Sequence, residues 1–142
     1  MSTGALREAL IEEHRRLDDL FGRFLSAAQS GVVEEARTAI EAFDGELRRH
    51  TAFEEERLFP RPAGPHPLAP RPGESEDERR VRELLLEHVQ IRELSQMILR
   101  ALAERQDLTA ARGLAGNLAR RWDAHTTREE REVLEGPHPD LV

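Results

Sequence analysis

The sequence predicts an all-α protein, an up-down-up-down four-helix bundle in which one helical hairpin is used twice. Three observations carry this. Apolar residues recur every three or four positions through four long segments, the period of a helix with one buried face. β-branched residues are few and nowhere alternate with polar ones, so strand signals are missing. The second half of the chain also repeats the first at a shift of 74 to 75 residues: EHRRLDDL from Glu13 answers to EHVQIREL from Glu87, and HTAFEEE from His50 to HTTREER from His125.

The first helix is expected from about Thr3 to Gln29, with a stripe through Leu6, Leu10, His14, Leu17, Phe21 and Phe24. A short turn at Ser30-Gly31 leads into the second, from about Val32 to Phe59, whose stripe is Ala36, Ile40, Phe43, Leu47, His50, Glu54 and Leu58. The next segment, PRPAGPHPLAPRPGES over residues 60–75, holds six of the eight prolines. Proline lacks the backbone N–H and clashes with the preceding turn, so this stretch is not helical and forms a stiff connection between the two hairpins. Ser75 with Glu78 makes a capping-box signature for the third helix, from Glu76 to about Glu104, with Val81, Leu84, His88, Ile91, Leu94, Ile98 and Leu102 on its stripe. Asp107 is the expected N-cap of the fourth, from Leu108 to about Leu134, with Leu114, Leu118, Trp122, His125 and Glu129, and Gly136-Pro137 stops it. The turns at Ser30-Gly31 and Gln106-Asp107 are short enough to force antiparallel neighbours. The whole length, residues 1–142, suits one compact domain.

Composition removes several kinds of chemistry. A net charge of −7 opposes binding to nucleic acid or to an acidic membrane surface. Without cysteine there is no disulfide, thiolate metal site or thiol nucleophile, and without tyrosine no tyrosyl radical. The N-terminal MSTGALREALIEEH has no long apolar run, so neither a signal peptide nor a membrane span is expected and the cytoplasm is the expected compartment.

The stripes carry groups that do not belong in an apolar core. His14, His50, His88 and His125 fall at intervals of 36, 38 and 37 residues, one per helix. Glu54 follows His50, and Glu129 follows His125, by four residues, which puts each pair on one helical face about 6 Å apart along the axis. Counted from the short turns at about 1.5 Å per residue, all four histidines reach similar heights. A lone core histidine is ordinarily a hydrogen-bonded polar residue. Four of them with two carboxylates are too costly to bury without a pairing agent, and imidazole with carboxylate suits iron, manganese or zinc. Two metals fit the count, because four imidazole nitrogens, two bridging carboxylates and one bridging oxide or hydroxide supply five bonds to each of two ions.

With these residues in order, the chain resembles the hemerythrin family in its bacterial hemerythrin-like (HHE cation-binding) branch of four histidines and two glutamates. The motifs are a lone first-helix histidine, HTAFEEERLFP, the third-helix EH and HTTREE, and the resemblance runs from His14 to Glu130. It implies a bundle around a non-haem di-iron centre with His14, His50, Glu54, His88, His125 and Glu129 as ligands, Glu54 and Glu129 bridging, and reversible O2 or NO chemistry. Oxygen-carrying members have a second third-helix histidine where this chain has Arg92, and bridge with an aspartate five residues after the last histidine, where this chain has Glu130. The internal repeat and the helical face both favour Glu129 as the bridge. Losing one histidine leaves each metal an open position, which suits reaction with NO, peroxide or O2.

Other residues carry weaker expectations. Asp18, four residues after His14, is a seventh ligand, an acceptor for an imidazole N–H, the partner of Arg92 across the bundle, or simply solvent-exposed. Trp122, one turn before His125, is expected to wall the pocket. Glu55, Glu56, Glu130 and Glu132 are expected to pair with arginines on the helix surface. His66 and His138 sit in irregular proline-rich sequence that cannot preorganise a ligand. The functions compatible with this reading are a protein that captures or senses O2 or NO, a small di-iron enzyme acting on peroxide or NO, and an iron store or iron-responsive interaction domain without catalysis. Nothing in the sequence fixes an oligomeric state.

Overall fold

The computed structural model describes residues 3–59 and 68–134. Four α-helices follow one another, α1 (Thr3–Ser30), α2 (Val33–Phe53), α3 (Glu76–Arg105) and α4 (Leu108–Glu129), and no strand occurs among the described residues. Six of the eight helix ends fall within one residue of the expected positions. The C-terminal ends of α2 and α4 do not. There the expected α-helix gives way to five-residue π turns, Glu54–Leu58 and Glu130–Leu134. The first closes with the Phe59 N–H donating to the Glu54 carbonyl at 2.9 Å, a bond five residues back rather than four. Single π turns inside helices concentrate where side chains must be re-aimed. These two sit at equivalent places in the repeat, beginning at Glu54 and just after Glu129.

The other ends have local causes. At the end of α1, Gly31 takes the left-handed conformation (φ +78°), and Val32 N–H reaches the Ala27 carbonyl at 3.0 Å. This satisfies last-turn carbonyls that would otherwise lack partners. Arg112 of α4 donates to the Ala28 carbonyl through Nε at 2.9 Å and so ties the turn to the far hairpin. At α3, the Glu78 N–H donates to Ser75 Oγ at 3.1 Å and the Ser75 N–H to Glu78 Oε1 at 3.3 Å, the reciprocal cap read from the sequence. Replacing Ser75 with alanine should cost about 1 kcal/mol. It would be measured as a lower denaturant midpoint at unchanged slope. Asp107 caps α4 by accepting from the Ala110 N–H at 2.9 Å.

Adjacent helices run antiparallel throughout. Phe21 meets Phe43 and His14 meets His50 between α1 and α2. Asp44 meets Ser95 and Thr51 meets Arg92 between α2 and α3. Gln90 meets Arg121 and Glu87 meets Arg128 between α3 and α4. Asp18 meets Trp122 and Ala28 meets Arg112 between α4 and α1. In every pair one number falls as the other rises, which is the up-down-up-down order of a closed four-helix bundle.

The apolar core is divided. A large cluster that includes Leu17, Phe24, Ile40, Phe43, Ile98, Leu102, Leu118 and Trp122 fills the end nearest the two short turns. A small one of Leu10, Leu58, Phe59, Val81 and Leu84 closes the other end. On α4 the small residues Ala111 and Ala115 are buried, and Leu114, expected on the stripe, is only half-buried and packs at the margin. Between the clusters lies a layer of histidine and glutamate. No described helix is long and apolar enough to cross a membrane.

Candidate metal centre

Each helix delivers one imidazole to the dividing layer: His14 from α1, His50 from α2, His88 from α3 and His125 from α4, all buried. Glu54, at the start of its π turn, and Glu129, at the last residue of α4, have no exposed surface at all. The six residues expected from the sequence are thus brought together. They form two overlapping groups whose donor atoms lie within 4.8 Å of one another: His14, His50, Glu54 and Glu129 in one, His88, His125, Glu54 and Glu129 in the other. Only the two glutamates belong to both.

A second ring, of carboxylates, lies outside the first. His14 Nδ1 is 3.1 Å from Glu130 Oε2, His50 Nδ1 is 3.0 Å from Glu13 Oε2, His88 Nδ1 is 2.7 Å from Glu55 Oε2, and His125 Nδ1 is 2.7 Å from Glu87 Oε1. A carboxylate can only accept, so each Nδ1 carries a proton and donates it outward. In the neutral ring each Nε2 is then a bare lone pair aimed inward, the tautomer a metal ligand needs. Sequence reasoning missed this ring. Glu130, expected to pair with an arginine, instead holds His14; Glu55 does bond Arg92, but shares that oxygen with His88. The available signal was the doubling EH, EE, EH, EE at Glu13-His14, Glu54-Glu55, Glu87-His88 and Glu129-Glu130. In each pair one residue serves the inner ring and its neighbour the outer.

The inner atoms satisfy one another only in part, through His14 Nε2, which lies 2.9 Å from Glu129 Oε1. Glu54 Oε1 and Oε2, His88 Nε2, His125 Nε2 and Glu129 Oε2 are buried with no hydrogen-bond partner among the described residues. Glu54 Oε1 lies 3.2 Å from both His50 Nε2 and His88 Nε2, but out of line for a hydrogen bond. His14 Nε2 faces His50 Nε2 at 3.0 Å, an arrangement of two lone pairs unless a cation or proton sits between them. Leaving so many buried polar atoms unpaired would cost several kcal/mol. Spacings near 3 Å suit donors that are each about 2.1 Å from a shared ion. The donor set therefore fits metal.

Charge in the metal-free protein points the same way. Burial pushes the His14 imidazole down, but Glu129 and Glu54 outweigh it and raise its pKa to about 10. His50 is likewise pushed down by burial and carried up to about 9 by Glu13 and Glu54. Burial opposes the ionised form of Glu129, yet its carboxyl is held well below the usual range by its polar contacts with Glu54 and with the histidines. Without metal, the layer at neutral pH would thus hold imidazolium against carboxylate. Two consequences follow from the sign of these shifts. The stabilisation of the metal-free protein by His14 and His50 is complete below about pH 6.5, the unfolded value. It is lost as pH rises through 9 to 10. Metal must also displace these protons. Loading at pH 7 should therefore release at least one proton each from His14 and His50, measurable by calorimetry in buffers of different ionisation enthalpy. Uptake with no proton release would contradict the paired charges.

Several single-residue expectations are corrected. Asp18 neither joins the donor groups nor pairs with Arg92; its Oδ1 accepts the Trp122 indole N–H at 2.7 Å. A buried indole needs an acceptor, and Asp18 supplies it. Arg92 Nη1 instead donates to Thr51 Oγ1 at 3.0 Å and to Glu55 Oε2 at 2.7 Å. Trp122 does wall the layer, its ring centroid 5.8 Å from that of His14 and 6.2 Å from that of His125. Phe59 stacks on His88 from the other side at 5.6 Å. Glu132 pairs with Arg128 as expected, at 2.6 Å, and Glu56 makes no ion pair among the described residues. His66, His138, Gly136 and Pro137 lie outside the described residues, as does the part of the proline-rich connection before residue 68.

Among protein-family models, the one described as the hemerythrin HHE cation binding domain matches residues 5–136. No curated protein and no solved structure gives a match.

Proposed function

The chain belongs to the hemerythrin family as an HHE cation-binding domain, and from that premise we propose that it holds a pair of iron ions, one in each donor group, and uses them on O2, NO or peroxide. The observation that carries this reading is the sharing of Glu54 and Glu129 by both groups. His14, His50, Glu54, His88, His125 and Glu129 would hold the two ions, with Glu54 and Glu129 common to both. Iron in such a site supplies one-electron redox chemistry and open positions for a diatomic ligand. Manganese or zinc suits the same donors.

The rest is done by the protein's own side chains. The outer carboxylates fix the four rings, so no tautomer change is needed to present four nitrogen lone pairs. Trp122 and Phe59 close the layer with aromatic faces and keep bulk water from it. Arg92 occupies the place of the additional histidine of oxygen carriers, with its guanidinium turned away to Thr51 and Glu55. A guanidinium stays charged and has no lone pair to offer, so that position adds no ligand. This supports reaction at the centre over storage of oxygen alone.

The test is anaerobic loading with ferrous iron, followed by O2, NO and peroxide in turn under visible spectroscopy. Two irons per chain and new absorption on exposure are expected. A band removed by vacuum identifies a carrier, and irreversible oxidation an enzyme or sensor. Saturation at one iron with no metal–metal coupling would sink the proposal.

A further inference from the structure

The two donor groups are alike in their inner atoms and unlike in the charges behind them. In the α3/α4 group both outer carboxylates are bonded to arginine. Arg92 Nη1 donates to Glu55 Oε2, the oxygen that also holds His88, and Arg128 Nη1 donates to Glu87 Oε2 at 2.7 Å while Oε1 holds His125. In the α1/α2 group neither Glu13 nor Glu130 makes an ion pair with an arginine among the described residues, and Arg16 acts on Glu13 only as a more distant charge. The internal repeat sharpens the contrast. Asp18 and Arg92 occupy equivalent positions, four residues after His14 and His88, with opposite charge. Asp18 sits against Trp122, whose ring meets His14 edge-on, and Arg92 sits against Glu55 behind His88. Arg128 is a weaker element than Arg92, because it also spans Glu83 and Glu132.

From this we propose that the centre is polarised across the bundle, with the His14/His50 position binding its cation first and more tightly than the His88/His125 position. A carboxylate behind an imidazole N–H makes the ring a better donor to metal. An arginine on that carboxylate withdraws the effect, and a nearby positive charge disfavours a second. Glu13 and Glu130 are thus positioning residues that strengthen one site, and Arg92 is one that weakens the other. The inference rests on the two-metal reading above, and adds to it an order of filling and the residues that set it.

The test uses the full chain with histidine ring nitrogens labelled with nitrogen-15, titrated with zinc, a diamagnetic ion, and followed by NMR. The signals of His14 and His50 should move during the first equivalent and those of His88 and His125 during the second. Arg92→Gln should tighten the second step by about tenfold and leave the first unchanged, and Glu13→Gln should weaken the first by about 10- to 100-fold. Asp18→Asn, whose amide oxygen can still accept from Trp122, should also weaken the first step. A merely structural loss would weaken binding in all three variants, so the opposite sign for Arg92→Gln is diagnostic. Simultaneous movement of all four histidines, the reverse order, or an Arg92→Gln titration like that of the parent would overturn the proposal. Binding of a single zinc per chain would instead remove the two-metal reading on which it stands.

Discussion

Glu129→Gln should leave the centre with about one metal ion or fewer, where the parent chain takes up about two. Glu129 is the residue placed to serve both donor groups from α4: its Oε1 lies 2.9 Å from His14 Nε2, and its Oε2 lies 3.1 Å from His125 Nε2 and 3.6 Å from His88 Nε2. Glutamine has nearly the same shape, but its amide is neutral and offers one acceptor oxygen. The change removes a buried negative charge facing two dications and the second arm of the bridge together. Glu54→Gln should behave in the same way, since both of its oxygens are orphaned in the same layer. Glu130→Gln provides the contrast. Its amide oxygen can still accept the His14 Nδ1 proton, so both metals should remain, the one at the His14/His50 position bound about 10- to 100-fold more weakly. Elemental analysis after reconstitution, with circular dichroism as a check on folding, decides the ranking. If Glu130→Gln empties the site and Glu129→Gln does not, Glu130 is the shared carboxylate.

Metal should also raise the melting temperature by roughly 10 °C or more. At a free concentration a thousand times the dissociation constant, a ligand that binds only the folded state stabilises it by about 4 kcal/mol. For a domain of this size each kcal/mol shifts the midpoint by about 2–4 °C. The layer is the reason the metal-free state is expected to be weak. Ten buried polar or charged side chains are found in the described bundle, and six of them form the inner ring. Protonation of the histidines sets charge against Glu54 and Glu129 near neutral pH, but it also crowds cations together, His14 Nε2 lying 3.0 Å from His50 Nε2. Melting curves of chelator-treated and loaded protein measure the difference. Superimposable curves would mean that the six residues do not bind metal in the folded interior.

The helices were legible because their signals are local and agree with the tertiary fold. The period of the apolar stripe, the Ser75–Glu78 box and the Asp107 cap each act within one turn and were found where expected. The four histidines and two glutamates were legible for the opposite reason, since polar groups on an apolar stripe conflict with burial and so advertise a purpose. The π turns were not legible. A bond to the residue five back, in place of four, leaves no pattern of residue types, and FEEERL reads as uninterrupted helix. The outer carboxylates were hidden by ambiguity. Glu13, Glu55, Glu87 and Glu130 lie next to stripe residues, where a half-exposed glutamate on a helix is ordinary, and only the positions of neighbouring helices reveal which imidazole each one meets. Asp18 shows the same limit, because its partner is Trp122, 104 residues away.

The division of the apolar core by a polar layer bears on cooperativity. A bundle ordinarily unfolds as one unit because its packed interior is continuous from end to end. Here the large cluster beside the short turns and the small one around Leu10, Leu58 and Val81 touch across charged groups, and the small one has few apolar contacts of its own. Without metal, the end that carries Leu10, Phe59 and Val81 should open separately, at a free energy below that of global unfolding. Its amides should then exchange with solvent ahead of those near Phe24, Ile40 and Ile98. With metal bound, four helices are joined at the layer, and the two ends should exchange as a single block. Metal would then report its presence through the mobility of the end carrying Leu10, Phe59 and Val81.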